Sequence, residues 1–142
     1  MIALVSFDGI ERSLFEKAAQ ELAIDHRIHY FQTVDDLFTH HAAVASEAKS
    51  RVYPRVIVMN IDDAACISSM GTLKATGNWD KIPVIGYGFL TEPTHVTDFY
   101  GAGGASCIRK PDTYAELVET TRGALGYWLS MTTLPCDFLR EA

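Results

Sequence analysis

At 142 residues, with 48% hydrophobic and 21% charged side chains, the chain is long enough to bury one core without metal or disulfide staples, and no apolar run approaches the ~20 residues that cross a bilayer. A formal net charge of −6 argues against nonspecific nucleic-acid binding through a broad basic face, so no direct nucleic-acid contact and no membrane contact are expected. Three widely spaced cysteines, Cys66, Cys107 and Cys136, point to reduced thiols and a cytoplasmic setting, and apolar Met1 to Val5 runs straight into Ser6, Phe7 and Asp8 without the basic leader of a secretory signal.

Short apolar runs alternate with helical patterns, the mark of repeated β-α units and a parallel sheet covered on both faces. Ile2 to Val5 reads as the first strand. Asp8-Gly9-Ile10-Glu11 then has capping-box spacing, and Ile10, Leu14, Ala18 and Leu22 recur at helical intervals. Arg27 to Phe31 is rich in β-formers and supplies the second strand. Leu37, His41, Val44 and Ala48 place a second helix over residues 34–48, closing before Arg51 to Pro54. Val56-Ile57-Val58-Met59-Asn60 is a buried third strand. Ile67, Met70 and Leu73 mark a third helix that should stop near Gly77-Asn78. Ile82 to Gly88 is the fourth strand, and residues 91–100 form a fourth helix with Pro93 tolerated near its start. The glycine-rich Gly101-Ala102-Gly103-Gly104 is expected to be a mobile turn. Ser106 to Arg109 follows as the fifth strand, and Thr113-Tyr114-Ala115-Glu116 opens a helix whose Tyr114, Leu117, Val118, Thr121, Leu125, Trp128 and Leu129 form one apolar stripe. Residues 1–130 make one domain, and residues 131–142 a tail that packs back or a linker that leads to a partner.

Right-handed crossovers through this order favour a flavodoxin-like, doubly wound five-stranded parallel sheet with strand order 2-1-3-4-5. Chemistry in such sheets collects beyond the carboxyl ends of the strands, here at Ser6, Phe7, Asp8, Asn60, Asp62, Gly88 and Lys110.

The run from Pro54 to Asp63 resembles the third strand of a response-regulator receiver domain, and Ser106-Cys107-Ile108-Arg109-Lys110-Pro111 resembles its fifth strand and Lys-Pro motif. With Ile82 to Gly88 as the fourth strand and Ile2 to Val5 as the first, the resemblance covers roughly residues 1–130 and implies a CheY-like fold. It also implies an altered site. Asn60 stands where the family carries its phosphorylated aspartate, and a neutral amide does not form a comparable acyl phosphate. Ser6 and Phe7 take the places of the magnesium-binding acid pair, with Asp8 one residue beyond. Gly88 replaces the threonine or serine, and Cys107 the switching aromatic residue. Only Lys110-Pro111 is as the family has it. Lys110 should then donate to the Asn60 side chain or pair with Asp8 or Asp62, across a cis Lys110–Pro111 bond.

Other readings of these residues stay open. Asp8, Asp62 or Asp63 is a displaced phosphoacceptor for a histidine kinase, although acids after a strand more often cap helices. Cys107, near Arg109 and Lys110, is a reactive thiolate or a buried inert thiol. His40, His41 and His95 lack metal-ligand spacing, and the glycine run precedes a strand where a phosphate-cradling loop would follow one. No catalytic residue, cofactor or metal is expected. The resemblance implies a signalling domain that binds another protein or itself through the fourth helix, fifth strand and fifth helix. Phe99, Tyr100, Arg109 and Tyr127 are the exposed candidates there, while Tyr114 and Trp128 are assigned to core packing. A sensor of small anions at the sheet's carboxyl edge is the remaining alternative.

Overall fold

Five strands, β1 (Ile2–Val5), β2 (Ile28–Phe31), β3 (Val56–Asn60), β4 (Val84–Gly88) and β5 (Ser106–Arg109), alternate with helices α1 (Gly9–Glu21), α2 (Val34–Ala48), α3 (Ala64–Lys74), α4 (Pro93–Gly101) and α5 (Tyr114–Gly126). The computed structural model describes residues 1–23, 27–48 and 53–137; the last five residues of the expected tail and the expected close of α2 at Arg51 lie outside them. The strands pair in parallel in the order β2-β1-β3-β4-β5, the topology expected from the crossovers.

Because side chains alternate across a strand, each apolar run feeds two layers. Ala3, Val5, Ile57, Met59 and Val84 face α2, α3 and α4, packing with Leu37, Met70, Leu73 and Phe99. Ile2, Leu4, Val58, Ile85 and Tyr87 face α1 and α5, packing with Phe15, Ala18 and Leu125. In that second layer the Tyr87 and Thr121 hydroxyls pair at 2.6 Å, which satisfies both groups inside apolar packing.

The local signals for α1 operate as read. Asp8 Oδ1 accepts from Glu11 N at 2.8 Å, and Glu11 Oε1 accepts from Asp8 N at 3.4 Å, so both halves of the capping box are made. Leu14 and Ala18 are buried, but Ile10 is 77% exposed although it belongs to the same stripe. Tyr114 behaves alike at the start of α5, 57% exposed where core packing was expected. Both stand in the first turn of a helix, beyond the strand ends, where the stripe no longer has sheet beneath it.

Three connections differ from expectation. α3 ends at Lys74, and a 3₁₀ turn (Gly77–Lys81) follows that buries Trp79 among Phe38, His41 and Tyr53, with ring centroids 5.0, 4.9 and 5.3 Å from it. β4 begins only at Val84, since Pro83 has no amide for the ladder. In the glycine run, a Cβ on Gly104 would overlap the Phe99 ring, and Gly104 N donates to Phe99 O at 2.9 Å, so this glycine answers to close packing. Beyond α5 the chain continues as a π-helical turn (Tyr127–Met131), and Leu129 and Leu134 return to the layer of α1 and α5.

Candidate functional site

β1 and β3 end side by side and deliver Ser6 and Asn60 to one corner of the sheet. An open cleft of about 430 Å³ lies there, lined by Ser6, Asp8, Glu11, Arg12 and Asn60 among others. Asn60 Oδ1 accepts from Asp62 N at 3.1 Å, which turns the chain out of β3. Ser6 has a left-handed backbone (φ 68), and its hydroxyl donates to Asp63 Oδ2 at 2.8 Å. The other Asp63 oxygen accepts from Ala65 N at 3.0 Å and caps α3. Phe7 is buried, its ring 5.2 Å from Phe15 and 6.0 Å from Tyr87. The two positions flanking the end of β1 thus carry a hydroxyl and a core aromatic ring, and Asp8 is committed to the cap of α1.

Lys110 is only 8% exposed, and its ammonium pairs with Glu11, lying 4.9 Å from the Phe89 ring centre and 5.6 Å from that of Tyr87. This corrects the expected pairing with Asn60, Asp8 or Asp62. Asp8 is held at the helix cap and Asp62 is turned to a different loop, whereas Glu11, one turn into α1, carries its carboxylate to the ammonium. The Lys110–Pro111 bond is trans, against the cis expectation, as the small intrinsic preference of X-Pro bonds allows. Lys110 N donates to Gly88 O at 2.8 Å, which ties this segment to the end of β4.

Asp62 spans from β3 to the loop after β4. Its Oδ2 accepts from Phe89 N at 2.8 Å and its Oδ1 from Leu90 N at 3.1 Å. The carboxyl sits directly over Gly88, where an added Cβ would be 2.7 Å from it. No sequence signal linked positions 62, 88 and 89, because the contact crosses two strands. Glu11 was visible only as the second half of a capping box.

Cys66 and Cys107 are poorly suited to nucleophilic work. Burial raises the Cys107 thiol, and the Cys107 amide donates to the Tyr100 hydroxyl at 2.9 Å. Burial first, and then the Asp63 charge, pushes Cys66 up to about 11. Among the described residues, no group of three or more histidine, cysteine or acidic side chains is arranged to hold a metal ion. Of the proposed contact residues, Tyr100, Arg109 and Tyr127 are exposed, and Arg109 Nη1 donates to Phe89 O at 3.4 Å. Phe99 is a correction: it is 0% exposed, because α4 turns it inward onto β4 and Gly104.

No family model and no curated protein matches the sequence. Solved structures do match the fold. The phosphorylated cyanobacterial phytochrome response regulator RcpA superposes with a TM-score of 0.80 at 19% identity, covering 94% of this chain and 96% of that one. A response regulator in red light signalling of R. palustris gives 0.76 at 17% identity, covering 94% and 97%. A response-regulator receiver domain from Rhodospirillum rubrum gives 0.76 at 18%, covering 95% and 97%. With likeness running through nearly the whole of each chain, the fold is that of response-regulator receiver domains, a CheY-like flavodoxin fold.

Proposed function

We propose that this chain is a phosphorylation-independent, receiver-like domain that works in signal transduction by binding a protein partner or a second copy of itself, without catalysing a reaction. The observation that carries the reading is Asn60 at the carboxyl end of β3, where its amide oxygen is used in an internal turn. A receiver's chemistry needs a carboxylate nucleophile at that place, with a metal-binding acid pair, a hydroxyl and a free lysine around it. Here the neighbouring positions are Ser6, Phe7 and Gly88, and Lys110 is neutralised by Glu11. The nearby acids have other engagements. Asp8 and Asp63 cap α1 and α3, and Asp62 holds the amides of Phe89 and Leu90, so each candidate for a displaced acceptor is already used in the fold, which counts against that reading. The contact surface we favour joins α4, β5 and α5, where Tyr100, Arg109 and Tyr127 are exposed.

The test is an amide-resolved NMR titration with magnesium and then beryllofluoride, which mimics a phosphoryl group on a carboxylate. Spectra unchanged at millimolar additions are expected. Saturable shifts centred on Asp8, Asp62 or Asp63 would sink the reading and identify the acid that still works.

A further inference from the structure

Two successive backbone N–H groups, those of Phe89 and Leu90, converge on the single Asp62 carboxylate at 2.8 and 3.1 Å. Leu90 reaches this arrangement with a left-handed backbone (φ 59) that L side chains rarely adopt. Successive amides turned toward one point form the kind of concavity in which backbones hold anions, and ionised acceptors make the stronger hydrogen bonds. In this loop the anion belongs to the chain itself. We propose that Asp62 is a built-in latch: its carboxylate, seated over Gly88, holds the loop between β4 and α4 in one arrangement without any added phosphoryl group. The inference rests on the phosphorylation-independent reading and adds how the domain keeps a fixed surface without that input.

The steric relation between positions 62 and 88 supports the latch separately from the hydrogen bonds. Gly88 is buried, and a Cβ there would meet all three carboxyl atoms of Asp62 at 2.7 Å. A side chain at 88 and the carboxylate in its seated position over it therefore exclude one another, so a β-carbon there would turn Asp62 away from the two amides. The buried cation beside this loop is also occupied, since Lys110 lies against the Phe89 ring while paired with Glu11. Arg109 Nη1 reaches Phe89 O at 3.4 Å, so the loop is held from its amide side by Asp62 and from its carbonyl side by an exposed arginine of β5. Pro93 begins α4 a few residues further on, so the held loop leads directly into that helix.

The test combines amide hydrogen exchange with a double-mutant cycle on the full chain. Asp62 is exposed, so Asp62→Ala removes no core contact, and Asp62→Asn keeps the shape while removing the charge. Exchange at Phe89 and Leu90 should accelerate on the order of tenfold or more in Asp62→Ala, and less in Asp62→Asn, with the amides of β3 and β4 unchanged. Gly88→Ala should lower the melting temperature in the parent chain and much less in the Asp62→Ala background. Equal exchange at positions 89 and 90 with and without the carboxylate overturns the latch, as does a Gly88→Ala loss of the same size in both backgrounds. Beryllofluoride binding by the parent chain is a separate result. It would remove the phosphorylation-independent reading, while the exchange data decide the latch.

Discussion

The interior of the sheet and its carboxyl edge satisfy their groups by opposite means. Inside, β1 and β3 bury apolar side chains on both faces, and the one polar side-chain pair named there, Tyr87 with Thr121, is internally satisfied. At the edge, Asp8, Glu11, Asp62 and Asp63 gather around the ends of β1, β3 and β4, and each is matched to a donor in the same chain. Interior packing is indifferent to which apolar partner it meets but strict about volume. The edge is tolerant of volume and strict about which acid meets which donor. A change inside should therefore register in global stability, and a change at the edge in local motion or binding.

The sharpest break comes from the interior. Phe99→Ala opens a cavity between α4 and β4 and should cost about 3–5 kcal/mol in urea denaturation; a loss under about 1 kcal/mol would mean that Phe99 is not a core residue. Next is the one edge contact that is itself buried. Glu11→Gln leaves the Lys110 ammonium enclosed without its anion and should cost about 2 kcal/mol, more than an exposed ion pair such as Arg122–Glu21 can contribute. If Glu11→Gln and Glu21→Gln prove equally mild, the distinction between the buried and exposed pairs fails. Tyr87→Phe should cost about 1–2 kcal/mol by stranding the Thr121 hydroxyl, and adding Thr121→Val should recover much of that loss. Additive losses in the double variant would show that the two hydroxyls do not depend on each other.

The smallest effect is one of pH, at the other end of the molecule. Burial, and after it the charges of His40, the amino terminus and Arg27, hold the His29 imidazole below its ordinary value of 6.5. The unfolded chain therefore takes up this proton first. Stability contributed at this site is complete above pH 6.5 and falls as pH drops from there toward the lowered folded value, with no change on the alkaline side. His29→Gln should flatten that part of a melting-temperature profile between pH 7 and 5, and an unaltered slope would assign the acid sensitivity elsewhere.

Most of the fold was legible because its signals are local. β1, β3 and β4 are apolar runs of strand length, and α1 carries a capping box that both residues complete. The place of Asn60 at the end of β3 was legible through the surrounding strand register. The partners of the charged residues were not. Lys110 and Glu11 are 99 positions apart, and Asp62 meets amides 27 and 28 positions later, so nothing in either neighbourhood signals the contact. Helical periodicity also misplaced Ile10 and Tyr114, because a stripe identifies one side of a helix without saying where the sheet beneath it ends, and the resemblance put Phe99 on the contact surface without showing how closely Gly104 lets it pack.

The fit of Asp62 over Gly88 also couples what can be substituted at the two positions. A β-carbon at position 88 would displace the seated carboxyl, so a substitution there costs the Phe89 and Leu90 hydrogen bonds unless position 62 has already changed. A change at position 60 alone leaves that contact untouched. The effect of a substitution at position 88 therefore depends on the residue at position 62, and the order in which the two are changed decides whether the intermediate keeps the loop contact.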